Sequence, residues 1–180
     1  RDPIHGFIKI NNLEKEIVDS QAFQRLRNIR QLALTNFVYP GAEHSRFSHS
    51  LGVMEFATKV FNTVVFKSMD ELQWDEKRIK RNRQFLRLVA LLHDIGHAPF
   101  SHASEDLFEH GFTHESYAPM IIKNTEIYNI INKFPEVEKI DIKADDVIGF
   151  FTGDLIDEDM AFLKEIYAGE VDVDKMDYLL

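Results

Sequence analysis

The sequence predicts an all-α helical bundle preceded by a short extended N-terminal segment. Apolar residues recur at helical spacing along most of the chain, and short breaks of Pro, Gly or polar residues separate these stretches. Fifteen Phe residues, spread from Phe7 to Phe162, favour a packed interior. Of the 180 residues, 44% are hydrophobic, which suffices for one sizeable core. We therefore expect a single domain over residues 1–180, as the N-terminal part of a longer protein.

The first thirteen residues form the expected extended segment. Pro3, Gly6 and the alternating residue types over residues 7–10 are typical of an extended stretch that enters a turn. Helical periodicity begins after this segment. Gly96 is expected to end the third helix and Pro99 to begin the next one. The expected helices cover residues 20–34, 48–66, 75–93, 99–110, 114–123, 125–134, 143–151 and 157–167.

Composition excludes several kinds of site and partner. Cysteine is absent, so any metal must be bound by His, Asp or Glu. The longest apolar runs, such as residues 88–92, are too short to cross a bilayer, so we expect a soluble, cytoplasmic protein with no membrane partner. The net charge of -9 is unfavourable for nucleic acid. The basic stretch over residues 77–87 could form a local patch, but a solvated helix face is the favoured interpretation.

The pair His93–Asp94 is the first candidate for chemistry. Because it follows the apolar run 88–92 directly, the carboxylate is expected to be buried and to need a metal or an Arg partner. His49 and Asp174 are candidates for further ligands. Two imidazoles and two carboxylates suit one divalent ion of Fe, Mn, Co, Ni, Zn or Mg. Any single histidine of this region would more often be structural, so the argument depends on the whole group.

Seven short motifs follow one another along the whole chain. They are DPIHG (2–6), FQRLR (23–27), QL (31–32), HSRFSHSLGV (44–53), LHDIGHAPFSH (92–102), THE (113–115) and DVDKMDY (172–178). In this order they resemble the deoxynucleoside triphosphate triphosphohydrolases of the HD phosphohydrolase superfamily. His49, the pair His93–Asp94 and Asp174 match the H…HD…D signature of that superfamily. The resemblance therefore implies an HD-domain helical bundle.

The reaction implied by the resemblance is hydrolysis of a deoxynucleoside triphosphate at the α-phosphorus, which releases deoxynucleoside and triphosphate. The metal would bind an α-phosphate oxygen and lower the pKa of a water molecule. A cationic side chain would neutralise the phosphoryl oxygens, and an imidazole would protonate the departing 5′ oxygen. The implied catalytic residues are Arg46 as the cation, His102 as the acid, and Glu105 and His114 as its hydrogen-bonded partners. Glu105 stands where relatives often carry Asp.

The resemblance also implies contacts to the substrate. Gln31 and Leu32 match the pair that contacts the deoxyribose and its 3′-hydroxyl, although Ala33 replaces the Gly usual in relatives. Lys175 matches a phosphate contact. Tyr178 matches a residue that lines the sugar, with a core aromatic as an equal alternative.

A regulatory site is implied as well. Asp19, Gln24 and Arg27 match positions that bind an activating guanine nucleotide, GTP or dGTP, at subunit contacts, and such a site implies a homotetramer. A surface ion pair of Asp19 is the open alternative. By resemblance, His5 belongs to the same N-terminal regulatory segment. His97 is expected beside the metal ligands rather than among them.

Two other functions remain open. Another HD-type hydrolase, a monophosphatase or a phosphodiesterase, could use the same metal site on a different phosphate ester. A nucleotide-binding regulatory module with an inactive HD site is the alternative from a different class, and its metal would be coordinatively closed. The motifs outside the metal site favour the triphosphohydrolase.

Overall fold

A computed structural model of the protein describes residues 2–138, 140–154, 157–169 and 172–179, without the side chains of residues 135–138 and 178. These residues form α-helices, short 3₁₀ segments and no β-strand, which confirms the all-α prediction. The α-helices are α1 (Asn12–Asp19), α2 (Gln21–Gln24), α3 (Arg46–Lys67), α4 (Met69–Leu72), α5 (Glu76–Leu92), α6 (His114–Asn124), α7 (Glu126–Glu138), α8 (Ala144–Thr152), α9 (Glu158–Ala168) and α10 (Val173–Tyr178).

Helices α3 and α5 pack against each other at the centre of the bundle. Asp75 caps the start of α5 by accepting a hydrogen bond from the amide of Arg78 at 2.7 Å. The second half of α5 is apolar and fully buried at residues 85–86 and 88–92. A helix that is apolar on most of its faces belongs in a core. Helix α10 packs on α3, and α8 and α9 pack on α5, so the end of α5 lies deep in the molecule.

The extended N-terminal segment is shorter than predicted. Asp2 accepts hydrogen bonds from the amides of Ile4 and His5, each at 2.8 Å, which folds the start of the chain into a turn. Helix α1 then begins inside the predicted extended segment, because Asn11 and Glu14 form a capping box. This pattern is a local signal that the sequence prediction did not use.

The helix predicted over residues 20–34 ends early. Helix α2 stops at Gln24, and a 3₁₀ turn, Arg25–Asn28, follows. The backbone then leaves the helical path because the amide of Arg46 donates to the carbonyl of Ile29 at 2.8 Å. This hydrogen bond to a distant segment overrides the local preference for a helix.

The helix predicted over residues 99–110 is also wrong. A 3₁₀ segment, Ser101–Leu107, replaces it. Phe100 and Ser101 have φ angles of 69° and 52°, in the left-handed region where an α-helix cannot continue. The hydroxyl of Ser101 donates to the carbonyl of Arg30 at 2.9 Å, which fixes this segment to the loop before α3. Within the described residues, no helix has the length and apolar character that a bilayer crossing requires.

Candidate metal centre and active site

The four predicted metal ligands converge on one point of the bundle. Nε2 of His49 lies 2.7 Å from Oδ1 of Asp174 and 3.7 Å from Oδ2 of Asp94. Nε2 of His93 lies 3.5 Å from Oδ1 of Asp94 and 3.5 Å from Oδ1 of Asp174. The ligand atoms of His49, His93 and Asp94 all lie within 4.8 Å of one another, which one cation can span. The packing of α3, the end of α5 and α10 therefore assembles the centre.

Both imidazoles direct an Nε2 atom to this point. Nδ1 of His93 donates to the carbonyl of Ala90 at 2.7 Å, and Nδ1 of His49 donates to Asp177 at 2.7 Å. Nε2 of His93 is left with a lone pair, is buried and has no hydrogen-bond partner among the described residues. A buried acceptor without a partner is costly, and a divalent cation would satisfy it. The residues present fit such an ion.

The site without a metal favours a protonated His49. Burial disfavours a charged His49, but its hydrogen bonds to Asp174 and Asp177 outweigh burial and raise its pKa to about 9. The imidazole therefore carries an extra proton at neutral pH unless a cation takes the place of that proton. Metal binding to such a site releases the proton.

Arg46 is buried against the ligand Asp94. Its Nη1 lies 2.5 Å from Oδ2 of Asp94, and its Nε donates to the hydroxyl of Ser101 at 3.0 Å. Burial alone would raise the pKa of Asp94, but His93, a hydrogen bond from His97 and the charge of Arg46 hold that pKa well below its usual range. Asp94 is thus an ionised candidate ligand with an Arg partner.

The predicted acid and its two partners form a second set beside the metal ligands. Nδ1 of His114 lies 2.5 Å from Oε1 of Glu105, and Nδ1 of His102 lies 3.1 Å from the same oxygen. The Glu side chain therefore reaches both rings. Burial raises the pKa of Glu105, but the hydrogen bonds from His114 and His102 together lower it by more, so the carboxylate is ionised. We call His102, Glu105 and His114 the histidine–glutamate set.

A cavity of about 530 Å³ is lined by His93, Asp94 and Asp174 of the predicted metal ligands and by His102 and His114 of the histidine–glutamate set. The two sets therefore face one space that is large enough for part of a nucleotide. Its lining also includes the predicted substrate contacts Gln31 and Leu32, and Arg46, His44, His97, Glu115, Tyr167, Ala168 and Asp172.

The remaining predicted substrate contacts lie in α10. The ammonium group of Lys175 donates to Oδ2 of Asp172 at 2.6 Å. The side chain of Tyr178 lies outside the described residues.

The three residues predicted to bind an activator lie at the surface around α2. Nε of Arg27 donates to Oε1 of Gln24 at 2.7 Å, and Gln24 donates to the carbonyl of Val18 at 2.6 Å. The guanidinium of Arg27 also lies 3.5 Å from the ring centroid of Phe47. Asp19, the last residue of α1, is exposed. A second cavity of about 490 Å³ borders Arg27.

Besides His44, Glu115 and Ala168 of the cavity lining, sequence reasoning missed Asp177, Asp172 and Tyr167. Asp177 binds His49, and its spacing of three residues from Asp174 on one helix was an available signal. Asp172 caps α10 by accepting a hydrogen bond from the amide of Lys175 at 2.7 Å. The ring of Tyr167 lies 6.3 Å from that of His93, and no local pattern marks it, because it reaches the cavity through the packing of α9.

Comparison with known proteins identifies the family. Residues 46–180 match the HD domain, which is three quarters of the chain. The chain belongs to the HD-domain family. HD domains bind divalent metals, and the cluster of His49, His93 and Asp94 is a candidate metal-binding group of this kind.

Individual relatives agree with this assignment. The chain is 38% identical to an uncharacterized protein of Methanocaldococcus jannaschii, with 100% of the chain and 32% of that protein covered. It is 35% identical to a protein of Dictyostelium discoideum named deoxynucleoside triphosphate triphosphohydrolase SAMHD1 homolog, with 99% of the chain and 34% of that protein covered. The chain thus spans about a third of the length of these two curated relatives.

A solved structure extends the likeness to three dimensions. The crystal structure of a hypothetical protein from Aquifex aeolicus has a TM-score of 0.75 and 35% sequence identity, and the match covers 99% of the chain and 43% of that protein. Together, the family match and these relatives confirm the resemblance to HD-domain phosphohydrolases of the triphosphohydrolase type.

Proposed function

We propose that this HD domain hydrolyses deoxynucleoside triphosphates to deoxynucleoside and triphosphate. The observation that carries the proposal is the cavity that brings His93, with its unpartnered Nε2 atom, and the histidine–glutamate set to one space. The naming of the Dictyostelium relative supports this choice of substrate.

The metal would be held by His49, His93, Asp94 and Asp174. When bound, a divalent ion of Fe, Mn, Co, Ni, Zn or Mg supplies a Lewis acid for the α-phosphate and a lowered pKa for water. Asp94 and Asp174 have lowered pKa values, because their histidine partners outweigh the effect of burial, so both are ionised for this role.

Arg46 would stabilise the negative charge of the phosphoryl group. Its hydrogen bonds to Asp94 and Ser101 hold the guanidinium in the wall of the cavity before substrate arrives. A fixed cation needs little reorganisation when charge develops on the phosphoryl oxygens, which is the basis of electrostatic catalysis.

His102 would act as the general acid. The 5′ oxygen leaves as water adds to the α-phosphorus, and this oxygen needs a proton as its bond to phosphorus breaks. Nδ1 of His102 binds Glu105, so Nε2 remains to deliver the proton. The ionised Glu105 accepts a hydrogen bond from Nδ1 of His102 and is itself oriented by His114.

The remaining contacts follow from the lining of the cavity and from α10. Gln31 and Leu32 would contact the deoxyribose, while Lys175 would contact the phosphates and Tyr178 the sugar. The group of Asp19, Gln24 and Arg27 around α2 would bind a guanine nucleotide activator, GTP or dGTP, between subunits of a homotetramer. The guanidinium of Arg27, which stacks on Phe47 and lines the second cavity, can donate hydrogen bonds to a phosphate group of such a ligand.

The test is incubation of the purified protein with Mn²⁺ and dGTP, with phosphorus NMR to identify the product. We expect deoxyguanosine and intact triphosphate from the wild type and neither from a His93→Ala/Asp94→Ala variant. His110→Ala is the matched control, because His110 is exposed and lies outside both sets. Orthophosphate as the product would instead assign a phosphatase. Tight metal binding without turnover of any nucleotide would assign a regulatory module.

A further inference from the structure

A buried chain of three side chains runs from the N-terminal turn, residues 2–6, to the metal centre. Nε2 of His5 lies 2.6 Å from Oδ1 of Asp177, and Nδ1 of His49 lies 2.7 Å from Oδ2 of the same carboxylate. The side chains of His5, Asp177 and His49 are 3%, 9% and 1% exposed. Contacts this short between buried side chains fix the orientation of each ring.

The carboxylate of Asp177 determines which nitrogen of His49 faces the metal. A carboxylate accepts hydrogen bonds, so Nδ1 of His49 carries a hydrogen and Nε2 is the atom that can bind a cation. Residues that hold the second nitrogen of a metal-binding histidine orient the ring and increase its basicity. Asp177 holds His49 in this way from α10, the helix that also supplies Asp174.

The fold leaves space for this contact at one glycine. A Cβ atom at Gly52 of α3 would overlap Oδ1 of Asp177 and would lie 2.8 Å from Nε2 of His5. The absence of a side chain at Gly52 therefore lets His5 and Asp177 meet beside α3. The ring of His5 also packs edge-on against Phe56, with 4.9 Å between centroids.

His5 is the buried anchor of an otherwise accessible turn. Pro3 and Ile4 are exposed, and the turn is shaped by Asp2, whose carboxylate accepts from the amides of Ile4 and His5. The side chain of His5, in contrast, enters the interior. The position of the turn therefore depends strongly on the hydrogen bond between His5 and Asp177.

We propose that Asp177 and His5 are positioning residues for the metal ligand His49, and that they couple the N-terminal turn to metal occupancy. This inference rests on the metal centre proposed above. If docking of the turn strengthens metal binding by some factor, metal binding strengthens docking of the turn by the same factor, because coupling between two equilibria is reciprocal.

The experiment is titration of the metal-free protein with Co²⁺, followed by visible absorption and equilibrium dialysis. Loss of a residue that orients a metal ligand costs roughly 10- to 100-fold in affinity, and we expect a loss of this size for Asp177→Asn and about 10-fold for His5→Leu. His5→Gln should stay near the wild type, since its amide nitrogen can donate to Asp177 in place of Nε2. Asp159→Asn is the control, because it removes a carboxylate that pairs with Arg78 in the first turn of α5, at the opposite end of that helix from His93.

Amide hydrogen exchange supplies a readout that does not depend on activity. Co²⁺ should slow exchange at the amides of Ile4, His5 and Gly6 in the wild type and should have no such effect in His5→Leu. Equal Co²⁺ affinities in the wild type, Asp177→Asn and His5→Leu would overturn the coupling, and so would a His5→Gln variant as weak as His5→Leu. Failure of the wild type to bind Co²⁺ would instead overturn the metal centre itself.

Discussion

Nε2 of His97 lies 3.2 Å from Oδ1 of Asp94, and this contact joins the metal ligands to the histidine–glutamate set. The ring of His97 also stacks on His114, with 3.8 Å between centroids. Burial lowers the pKa of His97 to about 4, so the ring is neutral at physiological pH. Its buried Nδ1 has no partner among the described residues, which agrees with a single hydrogen on Nε2. The neutral ring of His97 thus lies between the ionised carboxylate of Asp94 and the ring of His114.

Replacement of the proposed acid should separate chemistry from metal binding. We expect His102→Ala to lower kcat for dGTP by roughly 10²- to 10⁴-fold, which is the usual contribution of a general acid. The affinity for the Co²⁺ ion held by His49, His93 and Asp94 should not change, because His102 belongs to a separate group with His97, Glu105 and His114. Steady-state kinetics and Co²⁺ titration test this, with His110→Ala as the control. A parallel loss of Co²⁺ affinity would show that His102 is a ligand and would contradict its assignment as the acid.

The close approach of α6 to the turn after α5 should make Gly96 sensitive to substitution. A Cβ atom at Gly96 would overlap the carbonyl oxygen of His114 and would lie 2.8 Å from the amide nitrogen of Ala118. Backbone atoms cannot move aside as the end of a side chain can, so Gly96→Ala should lower the free energy of unfolding by roughly 1–3 kcal/mol. Urea unfolding measures this loss.

Gly41→Ala is the matched control for Gly96→Ala. A Cβ atom at Gly41 would meet no atom within 4 Å, and Gly41 does not have a positive φ angle. Its free energy of unfolding should therefore remain close to the wild-type value. Equal stability of the two variants would show that the packing of α6 on this turn is looser than the structure indicates.

The ion pair between α5 and α9 should stabilise the protein in a pH-dependent manner. Hydrogen bonds from Arg78 lower the pKa of Asp159, with Asn82 adding a further bond at 2.7 Å and burial opposing the shift. The carboxyl group therefore binds a proton more readily in the unfolded chain, where its pKa is about 3.9. Its stabilising contribution is present in full above the unfolded pKa and is lost as the pH falls through the lower folded pKa.

Asp159→Asn tests this pH dependence. The wild type should be more stable than the variant at neutral pH, and the difference should shrink through the acid range as Asp159 becomes protonated. Unfolding by urea at a series of pH values measures the difference, with Asp106→Asn as a control at an exposed carboxylate. A difference that stays constant down to strongly acid pH would mean that the charge of Asp159 contributes nothing.

The helices that the sequence predicted well have boundaries set by nearby residues. Helices α5 and α9 begin one residue after Asp75 and Asp157, whose side chains cap them. The predicted helices over residues 20–34 and 99–110 failed for the opposite reason. The hydroxyl of Ser101 binds the carbonyl of Arg30, so each segment takes its shape from a partner that is distant in the sequence.

In the candidate site, too, the sequence identified residues that belong to local motifs but not the contacts that the fold creates between distant segments. His49, His93, Asp94 and Asp174 were marked by their motifs, and the structure brings them together. Asp177 lies within one of those motifs, yet only the fold shows that it touches His49. The roles of all these residues in catalysis stay predictions until the variants are measured.

The metal centre draws its ligands from remote parts of the chain, since His49 and Asp174 are 125 positions apart. Closing a loop of this length costs conformational entropy, and the packing of the folded bundle already offsets this cost before any metal binds. During synthesis, the fourth ligand becomes available only when α10 has left the ribosome. Binding of a metal by all four residues would therefore follow the emergence of α10 and its packing on α3.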